Sequence, residues 1–116
     1  MGLDMYVHSC HKDAIEDNRD VDFEIFYNNH VSSFQSQSEL FYWRKHYKLH
    51  DWMETLYRQK GGTAESFNCV NVQLTDDDLD KLLSDFAGQT SEVSNFISLA
   101  RDELSQGKKI YYTSWW

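Results

Sequence analysis

The chain has 116 residues, of which 41% are apolar and 16% aromatic, and its 19 acidic and 11 basic side chains give a formal net charge of −8 at pH 7. This length predicts one domain over residues 1–116, and the composition argues against intrinsic disorder. The negative charge argues against direct binding of nucleic acid or anionic membranes, and no apolar run is long enough to cross a bilayer. We expect a cytosolic protein whose two cysteines, Cys10 and Cys69, stay as partly buried thiols.

The first part of the chain shows the period-two alternation of half-buried strands. Residues 3–9 place Leu3, Met5 and Val7 on one side and polar residues on the other, which predicts a first strand. A second strand is predicted over 21–27, because apolar residues alternate there again. The Ser- and Gln-rich stretch 31–38 has no periodicity and is predicted to be a loop.

The apolar spacing then becomes helical and predicts a long helix from about Glu39 to Gln59. Gly61 and Gly62 follow it and are suited to ending a helix. At about 100° per residue, one flank of this helix carries four amphipathic side chains: Trp43, His46, His50 and Tyr57. Such a rim could hold an anion, a nucleobase or a peptide side chain, but amphipathic residues also occupy core boundaries without any ligand.

The second half of the chain predicts two more strands and two more helices. A third strand is expected over 67–74, and Thr75 then precedes three acids, Asp76, Asp77 and Asp78, with the spacing of an N-capping box. The helix that follows is expected to end at Gly88, and another runs from a cap at Thr90 or Ser91 to Gly107. A last strand covers 110–116.

The order β-β-α-β-α-α-β predicts an α+β fold in which a small antiparallel or mixed four-stranded sheet packs against about three helices. The last strand is dense in aromatic residues. Because a strand buries only one side against a core, some of its rings should lie on the far face or edge, where they either close the core or form a contact patch. The rings concerned are Tyr111, Tyr112, Trp115 and Trp116.

The stretch around residues 42–57 contains the residues that we single out for ligand binding. In a small anionic or nucleotide-like site, Arg44 or Lys45 would neutralise the anion, and a ring of Trp43, His50 or Trp52 would stack on the ligand. Arg44 lies more than 90° from Trp43 and His50 on an ideal helix, so a single pocket would need groups from other elements.

A metal site is a third interpretation. His46 and His50 are four residues apart, which lets two imidazoles reach one metal ion from successive turns of a helix. Tyr47 stands where the His-Glu-x-x-His motif of zinc proteases has its glutamate, so a metal-dependent hydrolase has no general base in the expected place. Phosphate-binding loops and nucleophile elbows are also absent from the sequence, and we expect no cofactor and no enzymatic activity.

The start Met1-Gly2-Leu3-Asp4-Met5-Tyr6 and the segment Tyr42-Trp43-Arg44-Lys45, with His50 and Trp52, resemble a family of small bacteriophage and prophage proteins. The resemblance covers the first strand, the long helix and the acidic helix after Thr75. The family has no established activity. Some members bear a phosphoglycerate kinase label, but a chain this short without a phosphate-binding loop is not that two-domain kinase.

From charge, aromatic content and this resemblance we expect a non-enzymatic phage accessory protein that binds and modulates a host protein with a basic surface. Its acids would face that surface while Trp and Tyr side chains supply apolar contact. The target could belong to a nucleic-acid-handling defence system, so that the protein would act as an anti-CRISPR-like inhibitor. The alternative is the small-ligand protein described above.

Overall fold

The computed structural model describes residues 3–11, 14–15, 19–23, 37–86 and 91–116. Within them, four strands and three helices follow the order β-β-α-β-α-α-β. Every strand pair is antiparallel, so the predicted α+β class and its element order are confirmed. The elements are β1 Asp4–Cys10, β2 Gln37–Arg44, α1 Tyr47–Gln59, β3 Asn71–Leu74, α2 Asp76–Asp85, α3 Ser91–Ser105 and β4 Lys109–Trp115.

The sheet has the order β2-β1-β4-β3, so the first and last strands of the sequence form its centre. Asp4 lies opposite Trp115 across this central pair, and Cys10 lies opposite Lys109. Alternate residues of β1 are buried, as the period-two pattern predicts. The main core consists of side chains from the sheet and all three helices, among them Met5, Val7, Met53, Leu79, Phe96 and Tyr112.

A second, smaller apolar cluster includes residues from the segments between β1 and β2. Cys10 and Tyr111 contribute to it from the sheet, and Ala14, Ile15 and Phe23 contribute from those segments. The Phe23 and Tyr111 rings meet edge to face with centroids 5.6 Å apart. Tyr111 and the core residue Tyr112 are neighbours in β4, so their side chains leave the sheet on opposite faces.

The predicted helix from Glu39 is too long at its N-terminal end. Residues 39–44 belong to β2, and α1 begins only at Tyr47. The run Leu40-Phe41-Tyr42-Trp43 is rich in aromatic residues, which favour strands, and it pairs with β1 in antiparallel register. The few apolar positions in residues 39–44 fit both the helical and the strand period. Hydrogen bonding to β1 stabilises the strand.

The prediction of the second strand was also misplaced. The second strand of the structure is β2, which pairs with β1, whereas the described part of the predicted 21–27 segment makes a single bridge, from Val21 to Val72. Asp22 has a positive φ of 53°, which interrupts extended structure immediately after that bridge. Residues 24–27 and most of the predicted loop 31–38 lie outside the described residues, but Gln37 and Ser38 belong to β2.

The two later helices begin where the sequence predicts. Thr75 caps α2 in a complete capping box with Asp78, and α3 begins at Ser91. Thr90, one of the two proposed caps, and the proposed stop at Gly88 lie outside the described residues, while Gly107 adopts a φ of +84° just after α3. None of the described helices is long and apolar enough to cross a membrane.

Candidate functional site

The chain changes from strand to helix between Trp43 and Tyr47, and this change separates the residues that were predicted to share a helix flank. Arg44 is the last residue of β2, and Lys45 adopts a left-handed φ of 58° while its N–H donates to the Leu3 carbonyl at 2.9 Å. His46 is the N-cap of α1, where its side chain accepts a hydrogen bond from the backbone N–H of Leu49. The predicted rim is therefore wrong, since Trp43 is not on the helix.

Two members of that predicted rim are core residues. Trp43 is 4% exposed, and its ring packs against Phe96 with centroids 5.1 Å apart. Tyr57 is completely buried, and its hydroxyl donates to Asp22 at 2.6 Å while accepting from the Ala64 N–H at 3.1 Å. Both side chains therefore hold elements together instead of facing a ligand.

Trp52 also has a structural partner. Its indole Nε1 donates to the Asp85 carboxylate at 2.7 Å, which joins α1 to α2. The ring is half-buried against the main core. It lines a hollow between the two helices that is separate from the pocket containing His50. Trp43, His50 and Trp52, the three alternatives predicted to stack on a ligand, therefore line three different hollows.

His50 instead belongs to a pocket at the end of the sheet, between α1 and the segment before β3, with a volume of ≈ 470 Å³. We call it the acidic pocket. It has four aromatic or imidazole rings and two carboxylates in its lining, and none of its lining residues is Lys or Arg. The residues are Leu3, Tyr47, His50, Glu54, Glu65, Ser66, Phe67 and Trp116.

Ring contacts fix the imidazole of His50 at one wall of the acidic pocket. Its Nδ1 lies 2.7 Å from the hydroxyl of the completely buried Tyr112. The Phe67 ring lies 5.0 Å away, and the Trp116 ring meets the imidazole edge-on at 4.9 Å. Burial lowers the pKa of His50, against the opposing effect of Glu54 and Asp51, so the imidazole is neutral at pH 7.

The carboxylates give the pocket its charge. Glu54 lies one helical turn after His50 and also faces Arg58, 3.8 Å away, in an exposed ion pair of little strength. Glu65 is exposed and comes from the segment before β3. A cation entering this site would meet two negative charges and the faces or edges of several rings, two of which, Tyr47 and Trp116, remain accessible.

Our sequence reasoning found only two residues of the acidic pocket, His50 and Trp116. Glu54 follows His50 by four residues, so the helical period alone could have placed the two on one face. Glu65 and Phe67 have no such signal, because their position depends on how the segment after α1 returns to the sheet. Tyr47 was considered only as the residue that disrupts a zinc-protease motif.

The four rings of the C-terminal segment separate into a buried and an exposed pair. Tyr111 and Tyr112 are 3% and 0% exposed, whereas Trp115 and Trp116 are 62% and 38% exposed. Asn68 holds the end of the chain, since its side-chain oxygen accepts from the Trp116 N–H at 3.1 Å. The tyrosines therefore close the core, as one of the two predictions has it, and the tryptophans are exposed.

The three consecutive acids of α2 have different roles. Asp78 is buried, and its Oδ2 accepts from the Thr75 N–H at 2.9 Å and from the Lys60 Nζ at 2.5 Å. Asp76 makes an exposed ion pair with Arg101 at 3.3 Å, and Asp77 is exposed. Asp76 and Asp77 are therefore exposed to solvent, whereas Asp78 serves the fold.

The cysteines and histidines form no metal centre in the described part of the chain, where no three His, Cys, Asp or Glu side chains are grouped to hold an ion. Nδ1 of His46 accepts the Leu49 N–H, and Nδ1 of His50 faces Tyr112. Cys10 is buried as expected, but Cys69 is exposed, which corrects the prediction that both are partly buried.

Comparison with known proteins adds no relative to this description. No family model, no curated protein and no solved structure matches the chain.

Proposed function

We propose that this chain is a non-enzymatic binding protein that engages a basic surface of another protein, and that the acidic pocket takes one Arg or Lys side chain of that partner. The observation that carries the proposal is the meeting of Glu54 and Glu65 with the accessible rings of Tyr47 and Trp116 around one hollow without a cation in its lining. The pocket's ≈ 470 Å³ lies within the usual range for small-ligand sites.

The chemistry of the pocket favours a cationic guest. A carboxylate forms charge-assisted hydrogen bonds with a guanidinium or ammonium group, and an aromatic face attracts the same group by about 0.5–2 kcal/mol. A neutral His50 adds no competing charge at pH 7. The formal charge of −8 would also speed the encounter with a basic surface.

The resemblance to phage and prophage proteins supports a bacterial host protein as the partner. Proteins that handle nucleic acid carry the basic surfaces that phosphate backbones require, so a defence complex of this type suits the charge of the chain. We propose that occupation of such a surface inhibits the complex. We expect affinity to fall as salt is added, because the attraction between exposed charges decays over about 8 Å at physiological ionic strength.

The test measures binding of a fluorescent Arg- and Lys-rich peptide by anisotropy, together with a peptide of equal length in which Gln replaces the cations. The double variant Glu54→Gln/Glu65→Gln should lower affinity for the basic peptide by about tenfold or more, since two charge-assisted contacts are lost. Trp116→Ala should weaken binding less.

The matched control is Asp77→Asn/Asp102→Asn, which removes the same charge from exposed helix positions outside the pocket. Its affinity should stay within about twofold of the original protein, because distant surface charges contribute little in salt. If both double variants lose affinity equally, binding follows the overall charge and the pocket has no special role. A host protein captured from a lysate counts as the partner only if the pocket variant releases it.

A further inference from the structure

A second hollow, of ≈ 760 Å³, lies at the junction of β2 and α1 and has the opposite charge. We call it the basic hollow. Its lining contains three cationic side chains, a histidine and a single carboxylate, that of Glu92. The full lining is Phe41, Tyr42, Trp43, Arg44, Lys45, His46, Tyr47, Lys48 and Glu92.

The cations of the basic hollow are concentrated and available. Arg44, Lys45 and Lys48 supply three of the chain's 11 basic side chains within five consecutive residues. All three are exposed, and none makes an ion pair with another described residue; the Lys48 Nζ lies over the Phe86 ring, 5.5 Å from its centroid. This local excess of positive charge is opposite in sign to the net charge of −8.

The backbone holds these side chains around the start of α1. Lys45 adopts its left-handed conformation immediately before the helix, anchored by the bond from its N–H to Leu3. The first turn of α1 contains no acidic residue, so the positive end of the helix dipole is not neutralised there. Helix N-termini of this kind are well suited to phosphate groups.

The indole N–H of Trp43 is enclosed in the protein and contributes no ligand contact. Trp43 forms part of the wall of the basic hollow, and it is 4% exposed. Its indole Nε1 has no hydrogen-bond partner among the described residues, although buried indole N–H groups usually find one. The nitrogen has no appreciable accessible surface, so it does not face the hollow, and recognition there depends on the exposed cations and rings.

Two exposed tyrosine rings give the basic hollow aromatic surface in addition to its positive charge. Tyr42 is 43% exposed and Tyr47 is 58% exposed, and both lie beside the cations. From these juxtapositions we infer that the basic hollow binds a mononucleotide, with the phosphates held by Arg44, Lys45 and Lys48 and the base on a tyrosine ring. The site binds one nucleotide and not a nucleic acid strand, because the charge of the remaining surface repels an extended phosphate backbone.

Isothermal titration with ADP, adenosine, inorganic phosphate and a short single-stranded oligonucleotide tests this inference. ADP should bind once per chain, and adenosine and phosphate should each bind at least about tenfold more weakly, because each lacks one of the two recognised parts. Lys48→Gln should lower ADP affinity by about tenfold. Lys45→Asn should do the same while keeping a residue type that tolerates a positive φ.

The control is Lys81→Gln, which removes an exposed cation of α2 outside the basic hollow and should leave ADP affinity unchanged. Absence of saturable ADP binding, an equal loss in Lys81→Gln, or equal affinity for ADP and phosphate would each overturn the inference. So would an oligonucleotide that binds without competition from ADP. The Glu54→Gln/Glu65→Gln variant should keep full ADP affinity, so the two proposals succeed or fail separately.

Discussion

His50 combines a structural contact with a position in the acidic pocket. Its imidazole is 7% exposed, and it contacts Tyr112 on the core side and Trp116 near the surface. Because burial disfavours the protonated ring, the pKa of His50 lies below its ordinary value of 6.5. Protonation would place a charge among aromatic rings and, at the same time, add a positive charge to a pocket proposed to take cations.

This lowered pKa predicts a loss of stability on acidification. Below pH 6.5 the unfolded chain takes up a proton at residue 50 that the folded chain resists, so the free energy of unfolding falls as pH falls from 6.5 toward the folded pKa. Urea unfolding at pH 7.5 and 5.5 measures the effect. His8 has a lowered pKa for the same reason, so His50→Gln should reduce the loss without abolishing it. An unchanged pH dependence in this variant would contradict the assignment.

At the scale of elements, the sequence located β1 and the two later helices but misplaced the second strand and the start of α1. The capping box of Thr75 and Asp78 is local, so three residues suffice to locate the start of α2. The boundary between β2 and α1 depends on pairing with β1, and no local signal reports that pairing. The acidic pocket shares this difficulty, since Glu65 and Trp116 meet His50 only after the sheet has formed.

The three acids that begin α2 illustrate the difference between local pattern and tertiary role. Asp78→Ala should lower the free energy of unfolding by about 3–5 kcal/mol, because it removes the cap and leaves the Lys60 ammonium, which is mostly buried, without its carboxylate. Asp77→Ala, in the same turn but exposed, should change it by less than about 0.5 kcal/mol. Chemical denaturation of both variants provides the comparison. Equal losses would show that the helix dipole, and not the buried pair, determines the stability of this turn.

For the molecule as a whole, the two candidate sites share a wall. Tyr47 lines both the acidic pocket and the basic hollow, so sites of opposite charge lie on either side of one exposed ring. The net charge of −8 is a sum over the whole chain and does not show this division. Composition therefore predicted an acidic surface that binds a basic partner, and it did not indicate where the cations are concentrated. The geometry of the segment Trp43-Arg44-Lys45-His46, which the sequence analysis singled out, depends on β2, which the helical prediction missed.

The two cysteines allow the integrity of the whole fold to be followed. Burial raises the pKa of the Cys10 thiol to about 11, while Cys69 is exposed. Iodoacetamide at pH 8 should therefore modify Cys69 in the folded protein and reach Cys10 only when the second apolar cluster opens. Peptide mass spectrometry after labelling in buffer and in urea checks this. Similar labelling rates for both thiols in buffer would mean that this cluster is not closed in solution.

The position of β1 and β4 at the centre of the sheet has a consequence for biosynthesis. Asp4 of β1 pairs with Trp115 of β4, so β1 cannot form this pair until β4 has been synthesised. β2 pairs with β1, and β3 pairs with β4. Bringing β1 and β4 together closes a loop of most of the chain. The entropy of this closure is lost before the hydrogen bonds between the strands form, which slows folding. While the ribosome is still adding residues, β1 therefore has no β4 partner, and its apolar side, with Met5 and Val7, is available to chaperones.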